Sequence, residues 1–190
     1  MVCAGLNIRP SSDRESMMRV FLISALAAVL PCSLFANGPE PVAPKPKVTC
    51  EQGMVYDKKT KKCVSAQDNR LTPEDLFQTV RELAYAGDYE GAQIILAAMP
   101  QDDDRTLTYM GFTNRKLGKA EAGLAFYTRA LAVNPANILA RSYMGQGMVE
   151  QGNIAGALAQ LRAIRSHGGT GTWAETSLRT AIATGQTFNY

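Results

Sequence analysis

The residues able to support catalysis or to bind metal are few in this chain. Its 190 residues include one histidine, His167, and four cysteines. Zinc sites and acid–base hydrolases usually need several such side chains, and no Ser–His–Asp or Cys–His set can be assembled around a single histidine. We therefore expect no enzyme, no catalytic residue, no metal and no cofactor. An enzyme that uses His167 is kept as an alternative.

Two further segments match binding motifs only in part. The run Asp102–Asp104 resembles a chelate, but no calcium-loop spacing follows it, and acidic residues at a helix start complement the helix dipole. The glycine-rich run 167–171 lacks the Lys-Ser or Lys-Thr ending of a phosphate loop. We interpret the first as the start of a helix and the second as a plain loop.

The overall charge argues against nucleic-acid binding. Lys and Arg number 20 against 17 Asp and Glu, a net charge of +3, and apolar residues make up 46% of the chain. A nucleic-acid binder usually carries a stronger and more clustered positive charge, whereas this apolar content suits a packed core. We expect a protein or peptide partner and no nucleic acid.

The N-terminal 36 residues have the pattern of a signal peptide. The uncharged apolar stretch from Val20 to Leu30 has 11 residues, about half of what a membrane-spanning helix needs, and Pro31 follows it. We predict cleavage after Ala36, export to the periplasm and no stable membrane span afterwards. Secretion, an uncleaved anchor, and an over-called start codon that adds residues 1–16 are alternatives.

The next segments are predicted to be a linker and a small hairpin. Residues 37–49 contain four prolines and read as an extended, semi-rigid tether. After cleavage two cysteines remain, Cys50 and Cys63, and an even number in an exported chain indicates a disulfide. Apolar residues flank a polar turn between them, which predicts a disulfide-closed hairpin over residues 50–64.

This hairpin also resembles the central loop of small exported disulfide modules, including chitin-binding ones. The resemblance covers about 15 residues and rests on Cys50, Gly53, Tyr56, Asp57 and Cys63. It implies binding of an envelope polysaccharide through the hairpin, with the rest of the chain as scaffold. We retain this as the alternative function.

From residue 70 onward an internal repeat is visible. Three similar segments carry glycines at positions 87, 118 and 152, which are 31 and 34 residues apart. Helix-forming residues dominate between these glycines, and Gly118 is placed to end a helix in the left-handed conformation. The period predicts repeated pairs of helices, since a repeat of about 34 residues is typical of helical hairpins.

Residues 73–169 resemble three tandem tetratricopeptide repeats. The middle repeat is the most similar to the family pattern, at Leu107, Gly111, Gly118, Tyr127, Ala130 and Pro135. The resemblance implies an all-α fold: an α-solenoid of three helical hairpins at about 73–100, 104–135 and 138–169, in a repeat domain over 70–190. A capping helix over 172–184 would cover the last repeat, with Trp173 as a packing residue.

In this family the first helix of each hairpin lines a concave groove that docks peptides. The resemblance therefore implies a non-enzymatic protein-binding module of the cell envelope. The expected partner is a protein or peptide segment with an acidic group or a C-terminal carboxylate. The positions of this chain that map to the groove are Phe77, Arg81, Tyr85, Arg105, Thr108, Phe112, Arg115, Lys116, Ser142, Gln146 and Glu150.

Overall fold

The computed structural model describes residues 48–188. The predicted signal peptide and residues 37–47 of the predicted linker lie outside this range. The described elements are two strands followed by seven helices: β1 (Met54–Asp57), β2 (Lys62–Ser65), α1 (Pro73–Ala86), α2 (Tyr89–Leu96), α3 (Asp104–Lys116), α4 (Ala120–Val133), α5 (Ile138–Glu150), α6 (Ile154–Ser166) and α7 (Trp173–Thr184). The predicted combination of a helical fold with a disulfide-bearing hairpin is confirmed.

The hairpin is antiparallel, and its disulfide lies off the ladder. Tyr56 pairs with Cys63 in the register of β1 and β2, while Cys50 precedes β1 and is bonded to Cys63. The disulfide therefore links the segment that precedes β1 to a residue within β2, and it does not join the ends of the two strands. Val55 and Ala66 are buried in the same core as the apolar residues of α1, so the hairpin packs against that helix.

The helices form antiparallel pairs, and each pair packs against the next. Contacts join α1 with α2, α3 with α4, and α5 with α6; further contacts join α2 with α3 and α4 with α5, while α7 packs on both α5 and α6. One apolar cluster extends from the hairpin through α1, α2 and α3 to Tyr143 of α5, and a second lies between α5, α6 and α7. Each pair thus buries apolar surface against its neighbour.

The helix ends follow from local chemistry. Thr72 and Asp75 form a reciprocal capping box at the start of α1, and Asp103 caps α3 through the N–H groups of Arg105 and Thr106. At α7, Thr172 accepts from the N–H of Glu175 as predicted. The Glu175 carboxylate instead accepts from the N–H of Gly171 at 2.8 Å, because Thr172 N–H already donates to the carbonyl of Gly169.

Two glycines allow close helix contact. A Cβ at Gly111 would lie 2.6 Å from ring atoms of Tyr127 on α4, and one at Gly145 would lie 2.7 Å from Leu178 on α7. Both contacted side chains are fully buried. Leu124, on the same helix as Tyr127, is 37% exposed.

We expect Gly111→Ala to destabilise the protein. Alanine normally stabilises a helix interior relative to glycine by roughly 1 kcal/mol. Here the overlap with the immobile Tyr127 ring should reverse the sign and cost about 1–3 kcal/mol, measured by urea unfolding. In a double-mutant cycle, Tyr127→Leu should suppress part of this cost; a purely additive cycle would contradict the close-contact explanation.

Candidate functional site

Aromatic side chains of four helices and of the C-terminal segment form a continuous row. The ring-centroid distances are 5.5 Å from Phe77 to Tyr109, 6.3 Å from Tyr109 to Tyr143, 6.1 Å from Tyr143 to Trp173 and 5.9 Å from Trp173 to Phe188. All four contacts are edge-to-face, which is a favourable geometry for aromatic rings. We call this row, which runs across α1, α3, α5 and α7, the aromatic row.

The segment 186–188, which we call the tail, lies against α5 and α7. Gly185 ends α7 with φ of +75°, a left-handed conformation that lets the chain leave the helix direction. The N–H of Phe188 donates to Oε1 of Gln146 at 2.9 Å, and the Thr187 hydroxyl donates to Oε1 of Glu150 at 2.6 Å. The tail is thus held by main-chain, hydroxyl and aromatic contacts.

A charged pair supports the α5 side of this site. Nη1 of Arg115 donates to Oε1 of Glu150 at 2.6 Å, and the Arg115 side chain is only 2% exposed. Gly147 makes room for it, since a Cβ there would lie 2.8 Å from Cδ of Arg115. Partial burial opposes ionisation of Glu150, but the hydrogen bonds from Thr187 and Arg115 outweigh this effect and lower its pKa.

Several residues mapped to the groove are buried and do not present their side chains at a surface. Thr108 bonds to the carbonyl of Asp104 within α3, Phe112 packs in the main core, and Ser142 lies 3.0 Å from Ser177 of α7. Gln146 is covered by the tail that it binds, and Arg115 is paired with Glu150. Helix α7 and the tail therefore cover the part of the face that α5 contributes.

The other mapped residues remain at least partly exposed. Phe77, Arg81, Arg105 and Lys116 are half-buried, and Tyr85 is exposed. Arg105 stacks 4.7 Å above the ring of Phe77 and pairs with Glu74 at 3.1 Å. Two of the predicted groove cations are thus paired with carboxylates: Arg105 with Glu74 of α1, and Arg115 with Glu150 of α5.

Tyr109, Tyr143 and the tail were not predicted from the sequence to belong to the site. The two tyrosines are 34 residues apart, the same spacing as the second and third glycines of the repeat. Aromatic residues at one repeat position were therefore a detectable signal. The tail follows the last helix and carries no repeat pattern, so nothing in the repeat indicates that it folds back.

A second concave region lies between the hairpin and α1. A cleft of about 310 Å³ is lined by residues that include Met54, Tyr56, Glu82 and Leu83. An adjacent cleft of about 340 Å³ shares Tyr56 and Glu82 and adds Lys58. Burial raises the pKa of the Glu82 carboxyl. The residues that line the two clefts thus include the aromatic Tyr56, one cation, Lys58, and four acidic residues: Glu51, Asp75, Glu82 and Asp88.

No protein-family model, curated protein or solved structure matches the chain. Within residues 48–188, no group of three His, Cys, Asp or Glu side chains is placed to hold a metal ion. Over the same range, none of the helices is long and apolar enough to cross a bilayer.

We expect Glu150→Gln to lower stability and to flatten its acid dependence. The folded-state pKa of Glu150 lies below the ordinary 4.5, so its contribution is present above about pH 4.5 and is lost as the pH falls through the lower folded value. The variant leaves Arg115 buried beside a neutral acceptor, at a cost of about 2 kcal/mol at pH 7. Urea unfolding at pH 7, 5, 4 and 3 measures both effects.

The exposed residue Glu51, which precedes β1 and lies outside the helices, provides the control. Glu51→Gln should change neither the stability at pH 7 nor its decline in acid. An acid dependence of Glu150→Gln identical to that of the wild type would contradict the role assigned to the Arg115–Glu150 pair.

Proposed function

We propose that this chain is an exported, periplasmic and non-enzymatic interaction module that docks an extended segment of a protein partner. The docking surface is the face on which the half-buried rings of Phe77 and Trp173 lie, whereas the rings of Tyr109 and Tyr143 between them are buried in the core. The three helix pairs act as a tetratricopeptide-like solenoid, and α7 is its C-terminal cap.

The observation that carries this proposal is the tail itself. A segment outside the helices and strands lies on this face and is bound in the way that a peptide would be. Its N–H reaches a buried amide oxygen on Gln146, its hydroxyl reaches Glu150, and its aromatic ring packs on Trp173. A surface that binds one such segment has the donors, acceptors and rings to bind another.

The turns between paired helices support a repeated architecture. Gly87, Gly118 and Gly152 have φ of +83°, +79° and +75°. In each turn the following N–H donates five residues back, from Asp88 to Leu83, from Lys119 to Asn114 and from Asn153 to Met148. Three turns built alike favour three copies of one structural unit.

The charges of the face favour an acidic partner. The positive charge of Arg81 on α1 interacts with the Tyr109 side chain of the aromatic row. The Lys116 ammonium lies 5.9 Å from the ring centroid of Phe112 on α3. The charge of Lys116 also interacts with that of Glu150. A carboxylate of the partner segment would be attracted to Arg81 and Lys116.

Export is supported by the disulfide and by the N-terminal pattern. The Cys50–Cys63 bond suits an oxidising compartment. The uncharged stretch 20–30 is typical of a signal peptide, and the proline-rich residues 37–47 would tether the module and set its reach.

Selection from a displayed library of random nine-residue peptides on the full chain tests the docking function. We expect acidic peptides to be enriched, and Arg81→Glu combined with Lys116→Glu to weaken their binding about tenfold or more, which corresponds to about 1.4 kcal/mol. The control is Arg162→Glu on the exposed side of α6. Circular dichroism checks that helicity is unchanged. Enrichment that does not depend on Arg81 and Lys116 would contradict the proposal.

Polysaccharide binding by the hairpin is the second candidate function, favoured by the position of Tyr56 in both clefts beside α1. Aromatic rings in clefts stack on apolar sugar faces. If this candidate is correct, the chain should sediment with insoluble envelope polysaccharide, and Tyr56→Ala should abolish sedimentation. The control Leu158→Ala, at an exposed position of α6, should not. No sedimentation of the unchanged chain would eliminate this candidate.

A further inference from the structure

We propose that the tail is a built-in competitor for the docking site, and that the partner segment resembles it, with a hydroxyl residue directly followed by an aromatic residue. This inference rests on the proposed docking function and adds two things to it. It names the chemistry that the α5–α7 end of the face selects, and it assigns a regulatory role to residues 186–188.

The selectivity follows from three groups that each recognise a different part of the segment. Oε1 of the buried Gln146 accepts a main-chain N–H, which fixes the path of the backbone without regard to sequence. Glu150 accepts from the Thr187 hydroxyl at 2.6 Å and requires a donor at that position. Trp173 presents its ring to Phe188 at 5.9 Å and requires a flat aromatic group at the next position.

These three groups are also held by contacts that do not involve the tail. Gln146 donates to the hydroxyl of Ser142 at 3.3 Å, which in turn contacts Ser177 of α7. Glu150 is oriented by Arg115 at 2.6 Å. Trp173 packs edge-to-face on Tyr143 at 6.1 Å. A preorganised site loses little entropy on binding, so a short segment can be bound by few contacts.

Competition follows from the covalent connection. Only Gly185 and Gln186 separate the end of α7 from Thr187, so the tail is present at a high effective concentration at its own site. A partner segment must displace it. The apparent affinity of the partner is therefore its intrinsic affinity multiplied by the fraction of molecules in which the site is vacant.

The test uses a dye-labelled hexapeptide of sequence Gly-Gln-Thr-Phe-Asn-Tyr, identical to residues 185–190, and the full chain. The double variant Thr187→Ala with Phe188→Ala removes the hydroxyl and the ring by which the tail occupies the site, and we call it the vacated variant. We expect the peptide to bind this variant about tenfold or more tightly than it binds the wild type. Gln186→Ala, a change at an exposed tail residue, is the matched control and should bind the peptide as the wild type does. A peptide with Ala-Ala in place of Thr-Phe should not bind the vacated variant.

The fluorescence of Trp173 gives an independent readout, because it is the only tryptophan of the chain. Its emission should shift to the red in the vacated variant, where Phe188 no longer shields it, and return when an unlabelled form of the hexapeptide is added. If the double variant does not fold, a chain that ends at Gln186 is the second vacated form.

The outcomes separate this inference from the docking function. Equal affinity of the peptide for the wild type and a folded vacated form would overturn the competitor role, and no binding to the vacated form would overturn the proposed selectivity. If the vacated form enriches peptides without hydroxyl–aromatic pairs from the nine-residue library, the proposed selectivity is overturned and the docking function is not. Enrichment that is insensitive to Arg81→Glu with Lys116→Glu would contradict the docking function as well.

Discussion

The structure depends on the need of each helix pair to bury its apolar residues against the next pair. An isolated pair such as α3 and α4 leaves a face uncovered, and the apolar clusters of this chain cross pair boundaries. Close contact is possible because Gly111 faces Tyr127 and Gly145 faces Leu178. Stability therefore comes from contacts between consecutive elements, and the first helices of the pairs are brought side by side as a consequence.

The two ends of such a stack need cover, and this chain covers them by different means. At the C-terminal end α7 packs on α5 and α6, with the buried Leu178 at its centre. At the N-terminal end Val55 and Ala66 of the hairpin join the core residues of α1. A two-stranded hairpin is marginally stable by itself, so the disulfide that restrains its unfolded state contributes what its small core does not.

Local signals in the sequence were enough to predict the helix pairs and the end of α3, because these depend on nearest neighbours. Gly118 follows α3 with φ of +79°, as its lack of a side chain predicts. Burial could not be predicted in the same way. Phe112 and Ser142 occupy positions of a groove in the family that the chain resembles, yet here they pack in the core and against α7. Which face of a helix is covered depends on elements distant in sequence, and the tail carries no pattern that reveals where it lies.

Charge alone does not define the proposed docking surface. Of the four cations that the sequence placed on one face, Arg105 is paired with Glu74 and Arg115 with Glu150. The guanidinium of Arg115 orients a carboxylate, and that carboxylate accepts a hydroxyl hydrogen from the tail. Buried charge in this site therefore acts mainly by positioning acceptors. In the proposed docking site, aromatic rings and the side-chain amide oxygen of Gln146 then determine which segment fits, while Arg81 and Lys116 determine the charge of the segment that approaches.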